Sequence, residues 1–333
     1  MTSKCYSVLL CYAITLGAYA YGQTGGVPDD PFHGFSESGQ IVHVLPPPAA
    51  AHIPGDKQPL FAPVSNGAAV YRASYGLGKL RDHGGPEISG AGFQAVYWNS
   101  SVAHSISVSL GYSNIASQID AFVTHFPDGH NWDNSTTDDY EIIQQYGSRG
   151  PIANALTNLP YSVDTQATLS TISDAQIQTY LAGLFTRGML SPSSSTIYGV
   201  YFPPGMQVTL GSSASCTSFC GYHSHFAYET LTIKYAVFPY PNCSGCSLSG
   251  LSVADMLTII SSHEIRESVT DSLGTAWYDL LGYEADDKCA WHHLYQMSKG
   301  GFWVQPEYSN GGASSNSGFT ATFPGPGCVV PNR

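Results

Sequence analysis

The sequence predicts a mixed α/β (α+β) fold in a single disulfide-stapled domain, and three observations carry that expectation. Strand-like apolar runs alternate with segments of helical period over about 250 residues, the pattern of one mixed domain. Six cysteines fall between Cys216 and Cys328, an even set. One long helical segment, Ser252 to Val269, carries three ionisable groups on the arc that continues its apolar face.

At the start, Met1 to Lys4 carry one positive charge, and the uncharged stretch from Cys5 ends in Ala18-Tyr19-Ala20, which predicts a signal peptide over 1–20. The stretch is shorter than the roughly 20 residues that cross a bilayer. Nothing later is both long and apolar enough, so the expectation is a secreted protein, extracellular or periplasmic in a Gram-negative source, with no membrane contact once the signal is removed. Leu9-Leu10 before Cys11 lacks the small residue of a lipidation site. Residues 21–80 hold Gly25-Gly26, Pro46-Pro47-Pro48 and Ala49-Ala50-Ala51 without a sustained period, and read as a flexible or loosely docked leader to a domain over 81–333.

Strands are expected at Phe93 to Trp98, Ile106 to Leu110, Thr196 to Phe202, Met206 to Leu210 and Leu231 to Phe238. Helices are expected at Ile115 to Phe126, Asp139 to Tyr146, Asp174 to Thr186 and Ser252 to Val269. Ser173 is placed to cap the third, and Ser252-x-x-Asp255 is a capping box for the fourth. With 24 acidic and 12 basic side chains the net charge of -12 repels a phosphate backbone, so no nucleic-acid partner is expected. Charged residues are 11%, well under the roughly 25% of ordinary domains, so Ser, Thr, Asn, Gln, Gly and Tyr must finish the surface. That surface suits an extracellular protein and, with 22 tyrosines, contact with glycans. Trp98, Trp277 and Trp291 are expected in the core or a cleft wall rather than as sugar platforms.

Removal of the leader takes Cys5 and Cys11, leaving Cys216, Cys220, Cys243, Cys246, Cys289 and Cys328. Three disulfides are the simplest use, with the connectivity open. Cys216-x3-Cys220 and Cys243-x2-Cys246 also have the spacing of a four-thiolate zinc site, a reading that an oxidising compartment disfavours.

The segment Ser252 to Val269 carries the chemistry. Val253, Met256, Leu257 and Ile260 fall on one side, expected to be the buried one, and His263, Glu264 and Glu267 continue it while Arg266 projects elsewhere. Buried charge must be paired or coordinated. His263 and Glu267, four apart, reach one point above the helix as two ligands of a divalent ion do, and Glu264 lies beside that point as a general base. The usual zinc-peptidase helix has histidine where Glu267 stands, and carboxylate makes the site harder, so zinc is the first expectation and other divalent ions remain open. Glu284 and Asp287 are the preferred sources of a third ligand, and His223 and His225, alternating as on a strand, are expected to line the cleft. His83, in His83-Gly84-Gly85-Pro86, and Tyr278 are further cleft candidates. The competing reading is a hydrogen-bonded network at a helix end, with Arg266 and Lys288 as partners.

Several separated motifs resemble the EXORDIUM and phosphate-induced protein 1 family of secreted plant proteins with bacterial relatives. They are His83-Gly84-Gly85-Pro86 leading to Val96-Tyr97-Trp98, Phe219-Cys220-Gly221-Tyr222-His223, Cys243-Ser244-Gly245-Cys246, and His263-Glu264-x-x-Glu267 followed by Ala276-Trp277-Tyr278 and Glu284-x-x-Asp287-x-Cys289. The resemblance covers about residues 80 to 333 and implies a zincin-like domain in which glutamate at Glu267 is a family feature. The expected function is a metal-dependent, peptidase-like hydrolase acting on a peptide, protein or cell-wall polymer. The alternatives are a non-catalytic extracellular or wall-associated binding or signalling protein with a structural metal or polar cluster, and a glycan-binding wall protein. No Gly-x-Ser-x-Gly elbow supports a serine hydrolase.

Overall fold

A computed structural model describes residues 30–51, 57–63, 68–128, 139–314 and 325–331. The expected signal peptide over 1–20 lies outside them. Seven strands make the central mixed sheet: β1 (His33–Phe35), β2 (Ile41–Leu45), β3 (Ala91–Tyr97), β4 (Leu156–Val163), β5 (Thr196–Tyr201), β6 (Gly221–Tyr228) and β7 (Leu231–Phe238), in the order β1-β2-β6-β7-β5-β3-β4. The half from β1 to β7 is antiparallel, and β7, β5, β3 and β4 run parallel. Every residue of β5 is buried, as expected for a strand covered on both faces, and its composition is accordingly aromatic and β-branched rather than alternating.

Four helices flank the sheet: α1 (Ser100–Ala103), α2 (Ile115–His125), α3 (Asp174–Thr186) and α4 (Val253–Thr270). On one face, Ile177, Leu181 and Leu184 of α3 pack with Val96, Tyr198, Tyr235 and Val237. On the other, α2 and α4 share a core with Phe93, Tyr97, Tyr201, Ala236 and Phe238. The capping expectations hold in detail: Ser173 accepts from Gln176 N, and Ser252 Oγ accepts from Asp255 N at 3.1 Å while Ser252 N donates to Asp255 Oδ2 at 2.9 Å.

Four expectations need correction. Residues 33–35 and 41–45, within the expected flexible or loosely docked leader, form β1 and β2 of the central sheet, and the described residues from Pro31 onward belong to one compact unit. Pairing with β6 supplies the backbone hydrogen bonds that the local sequence does not advertise. Ile106 to Leu110 is not a strand; Ile106 is 83% exposed, and Ser107 is used instead to cap α4, its Oγ and O accepting from Val253 N and Ala254 N. Glu141–Tyr146 is a 3-10 turn rather than an α-helix. Helix α4 is buried on every side from Ala254 to Thr270, not along one stripe, because residues 286–308 close over its outer face. There, Thr258 Oγ1 donates to Trp303 O at 2.7 Å, and Arg266 Nη2 donates to Gln305 O at 2.9 Å.

The six cysteines form three disulfides, Cys216–Cys243, Cys220–Cys246 and Cys289–Cys328, so the sulfurs of the four-thiolate zinc reading are bonded to one another. The first two tie the start of β6 to the segment after β7, and the third ties the loop after α4 to the C-terminal strand Pro326–Val330. Such bonds persist in oxidising compartments. Among the described residues no helix is long and apolar enough to cross a membrane. Trp98 and Trp291 are in the core, 4% and 3% exposed, as expected.

Candidate metal centre

Two alternating strands and one helix bring the ionisable groups together. In β6, His223 pairs with Ala236 of β7, and both side chains face α4, whereas Tyr222 and Val237 face the opposite layer. Across β2, His43 is the register partner of both His223 and His33, so three imidazoles lie in a row over adjacent strands. Against this row α4 presents His263, Glu264 and Glu267, all with no exposed surface, and the loop after it brings in Glu284 and Asp287, equally buried. Gly221 makes the close approach of α4 possible: a Cβ there would lie 2.5 Å from Ile260 Cγ2 and 3.0 Å from Glu264 Oε1.

His263 Nε2 lies 2.9 Å from Glu267 Oε2 and 3.6 Å from Asp287 Oδ1. His223 Nδ1 lies 3.1 Å from Glu264 Oε2, a hydrogen bond, and 3.8 Å from Glu267 Oε2. Glu284 stands across the other side, its Oε2 3.7 Å from His223 Nε2 and its Oε1 3.3 Å from His43 Nδ1. His43 Nδ1 is also 3.8 Å from Asp287 Oδ2. Two sets of three donors close enough to share an ion result, His263 with Glu267 and Asp287, and His223 with Glu264 and Glu267.

Each of two acids divides its oxygens. Glu267 Oε1 accepts from the backbone N–H of Asp286 and Asp287 at 3.1 and 2.9 Å, and Asp287 Oδ2 accepts from Glu284 N at 3.0 Å. Their other oxygens, Glu267 Oε2 and Asp287 Oδ1, have no hydrogen-bond partner, nor have His263 Nε2, His43 Nδ1, Glu264 Oε1 or either oxygen of Glu284. His263 and Glu267 thus approach to 2.9 Å without the alignment of a hydrogen bond. Orphaned buried polar atoms are expensive, and converging ones fit the donor set of a cation. On its far side, His263 Nδ1 lies 3.1 Å from Nε2 of the Gln305 carboxamide, which is itself held by donation to Asp286 O at 2.8 Å.

The cations proposed for a purely hydrogen-bonded network are committed elsewhere. Arg266 grips Asp286 through Nε and Nη2 and lies 3.7 Å from Glu307, while Lys288 Nζ donates to Asp279 Oδ2 at 2.5 Å. Without a counter-charge, burial foremost and then neighbouring carboxylates raise Glu267 and Glu284 well above the usual carboxylate range. Burial raises Glu264 likewise, against the opposing pull of His263. Burial, with His43 and His263 nearby, holds the His223 pKa well below its ordinary value.

No protein-family model, curated protein or solved structure matches the chain. The site therefore has to be read from its own geometry. A cleft of about 440 Å³ opens beside the cluster, lined by His33, Ile41, His43, His225 and Tyr278 among others. His43 belongs to both, with one face on the cleft and Nδ1 on the carboxylates. His225, two residues along β6 from His223, is among the residues that line the cleft. His83 does not reach the cleft lining; it stacks on Tyr278 with ring centroids 3.7 Å apart, backing the cleft wall. His43 escaped sequence analysis because it sits in the supposed leader, although Ile-Val-His-Val-Leu is a short β-branched run that a strand reading of that segment would have caught. Gln305 and Asp286 were also missed as supporting groups; neither belongs to a local pattern.

Proposed function

We propose that the chain is a secreted, zincin-like, metal-dependent hydrolase in which His263, Glu267 and Asp287 hold a divalent cation and Glu264 is the general base. The single observation that carries this is the convergence of three buried atoms without hydrogen-bond partners, His263 Nε2, Glu267 Oε2 and Asp287 Oδ1. Zinc is the first candidate because three protein donors and an open position are the form of a catalytic zinc site, and the second carboxylate makes this set harder than the form with two histidines and one glutamate, so manganese is the next. Such an ion supplies a Lewis acid that polarises a carbonyl and acidifies water.

The chain's own residues do the rest. Glu264, oriented by the 3.1 Å hydrogen bond between its Oε2 and His223 Nδ1, takes a proton from water; the resulting hydroxide oxygen adds to the acyl carbon. The bond to the leaving amine or alcohol then breaks, and Glu264 returns the proton to the leaving group. Substrate enters by the cleft bounded by Ile41, His225 and Tyr278 and passes His43 to reach the acids. A peptide, protein or cell-wall polymer is the substrate class that the resemblance to the EXORDIUM group suggests.

The depth of the cluster supports a second reading. His263 and all four acids have no exposed surface, which suits a structural ion in a binding or signalling protein as well. Glu264→Gln separates the two. Under the hydrolase reading it lowers cleavage of a peptide and ester panel by about 10²- to 10⁴-fold with metal content retained. Failure of the metal-loaded parent to cleave any member of the panel would leave the structural reading standing.

A further inference from the structure

We infer that the pocket holds two divalent cations, joined by the Glu267 carboxylate. The inference deepens the metal-site reading above and rests on it. Glu267 Oε2 lies between two imidazoles, 2.9 Å from His263 Nε2 and 3.8 Å from His223 Nδ1. It is the one atom-bearing group common to both donor sets, His263–Glu267–Asp287 and His223–Glu264–Glu267, and it has no hydrogen-bond partner of its own. A carboxylate so placed is positioned to bridge, the arrangement by which paired ions are held a few ångströms apart.

A single ion leaves too much unexplained. Three protein donors fill a catalytic zinc site, yet His43, His223, Glu264 and Glu284 also converge here. With the first ion at His263, Glu267 and Asp287, His223 and Glu264 still converge on the same Glu267 carboxylate as a second set of three donors. Charge points the same way. Glu264, Glu267, Glu284 and Asp287 carry four negative charges when ionised, and the nearby Arg266 and Lys288 are taken by Asp286 and Asp279. One divalent ion offsets half of that charge; two offset all of it, and buried charge is tolerated only when balanced.

The second cation replaces the proton that joins His223 Nδ1 to Glu264 Oε2 at 3.1 Å, while Glu284 meets the opposite ring nitrogen, with its Oε2 3.7 Å from His223 Nε2 and its Oε1 3.3 Å from His43 Nδ1. Glu264 then binds through Oε2 and keeps Oε1 as the oxygen that accepts a proton. Carboxylates with imidazoles suit zinc and manganese alike, so Mn(II) can serve as the probe.

The test uses the full chain with its disulfides intact, stripped with chelator, reloaded with Mn(II) and freed of excess metal. Mass spectrometry of the bound metal is expected to give two Mn(II) per chain, and paramagnetic resonance a spin-coupled pair. His223→Ala is expected to drop the count to one and leave an isolated-ion spectrum, with circular dichroism reporting the fold; the parent's count and spectrum decide the matter alone if that variant does not fold. One ion per chain, uncoupled, in the parent overturns the pair and leaves the single-ion site standing. Two uncoupled ions overturn the Glu267 bridge, and no bound ion overturns both the pair and the metal-site reading. None of these readouts depends on turnover, so the hydrolase assignment stands or falls separately on Glu264→Gln.

Discussion

At the scale of residues, the buried charges around α4 divide into a set that is internally paired and a set that is not. Arg266 donates to both oxygens of Asp286 and to the backbone carbonyls of Asp139 and Gln305, and lies 5.6 Å from the centre of the Phe126 ring. Burial alone would lower its pKa, but Asp286 and Glu307 outweigh that and keep the guanidinium charged. Removing one partner of a buried pair strands the other, which costs about 3–5 kcal/mol. Asp286→Ala should therefore lower stability by about that amount in urea unfolding; a change under about 1 kcal/mol would show that the pair does not hold the loop on α4. The acids facing His43, His223 and His263 have no such partner. That contrast, within one helix turn, separates charge paired inside the protein from charge that the proposed ions would balance.

At the scale of elements, α4 was the most legible part of the chain. Its cap, its period and its three ionisable groups are all local, and the observed helix Val253–Thr270 starts one residue after its predicted cap. Ser252→Ala removes one half of the capping box and should cost about 1 kcal/mol, read as a shift in the unfolding midpoint without a change in slope. An unchanged midpoint would mean that Ser107, whose Oγ accepts from Val253 N, satisfies the helix start by itself. Strand β7 and helix α3 were equally legible, since Leu231–Phe238 and Asp174–Thr186 are long apolar or capped runs. Strand β4 was missed: Pro160 interrupts it, and it stands at a sheet edge where proline is tolerated and local pattern is weak. Strands β1 and β2 were missed because they are short and precede Pro and Ala tracts; β2 pairs with β6, and β1 joins the sheet only through β2.

At the scale of the whole molecule, disulfides hold the loops that carry the site, and the proposed ions would add to them. The disulfides span 26, 27 and 39 residues, and closing loops of that length stabilises by roughly 3–4 kcal/mol each in the chain-entropy account. The proposed metal would add to this, because an ion that binds only the folded chain stabilises it by about 2.7 kcal/mol at a hundred times its Kd. Chelation should accordingly lower the Tm by about 5–10 °C, measured by scanning calorimetry with the disulfides intact. An identical Tm with and without chelator would argue that no ion contributes to the fold.

The sequence by itself determined whatever is encoded within a few residues: the capped helix, the placing of His263, Glu264 and Glu267 on one arc, and an even set of cysteines. It named Glu284 and Asp287 but had no means of ranking them or of finding His43. The tertiary structure decided that Asp287 faces His263 while Glu284 faces His43 and His223, and that Cys216 pairs with Cys243 rather than Cys220. The reason is that sheet register, not chain neighbourhood, sets which side chains of β2 and β6 meet α4, and register is fixed only when all three are packed together.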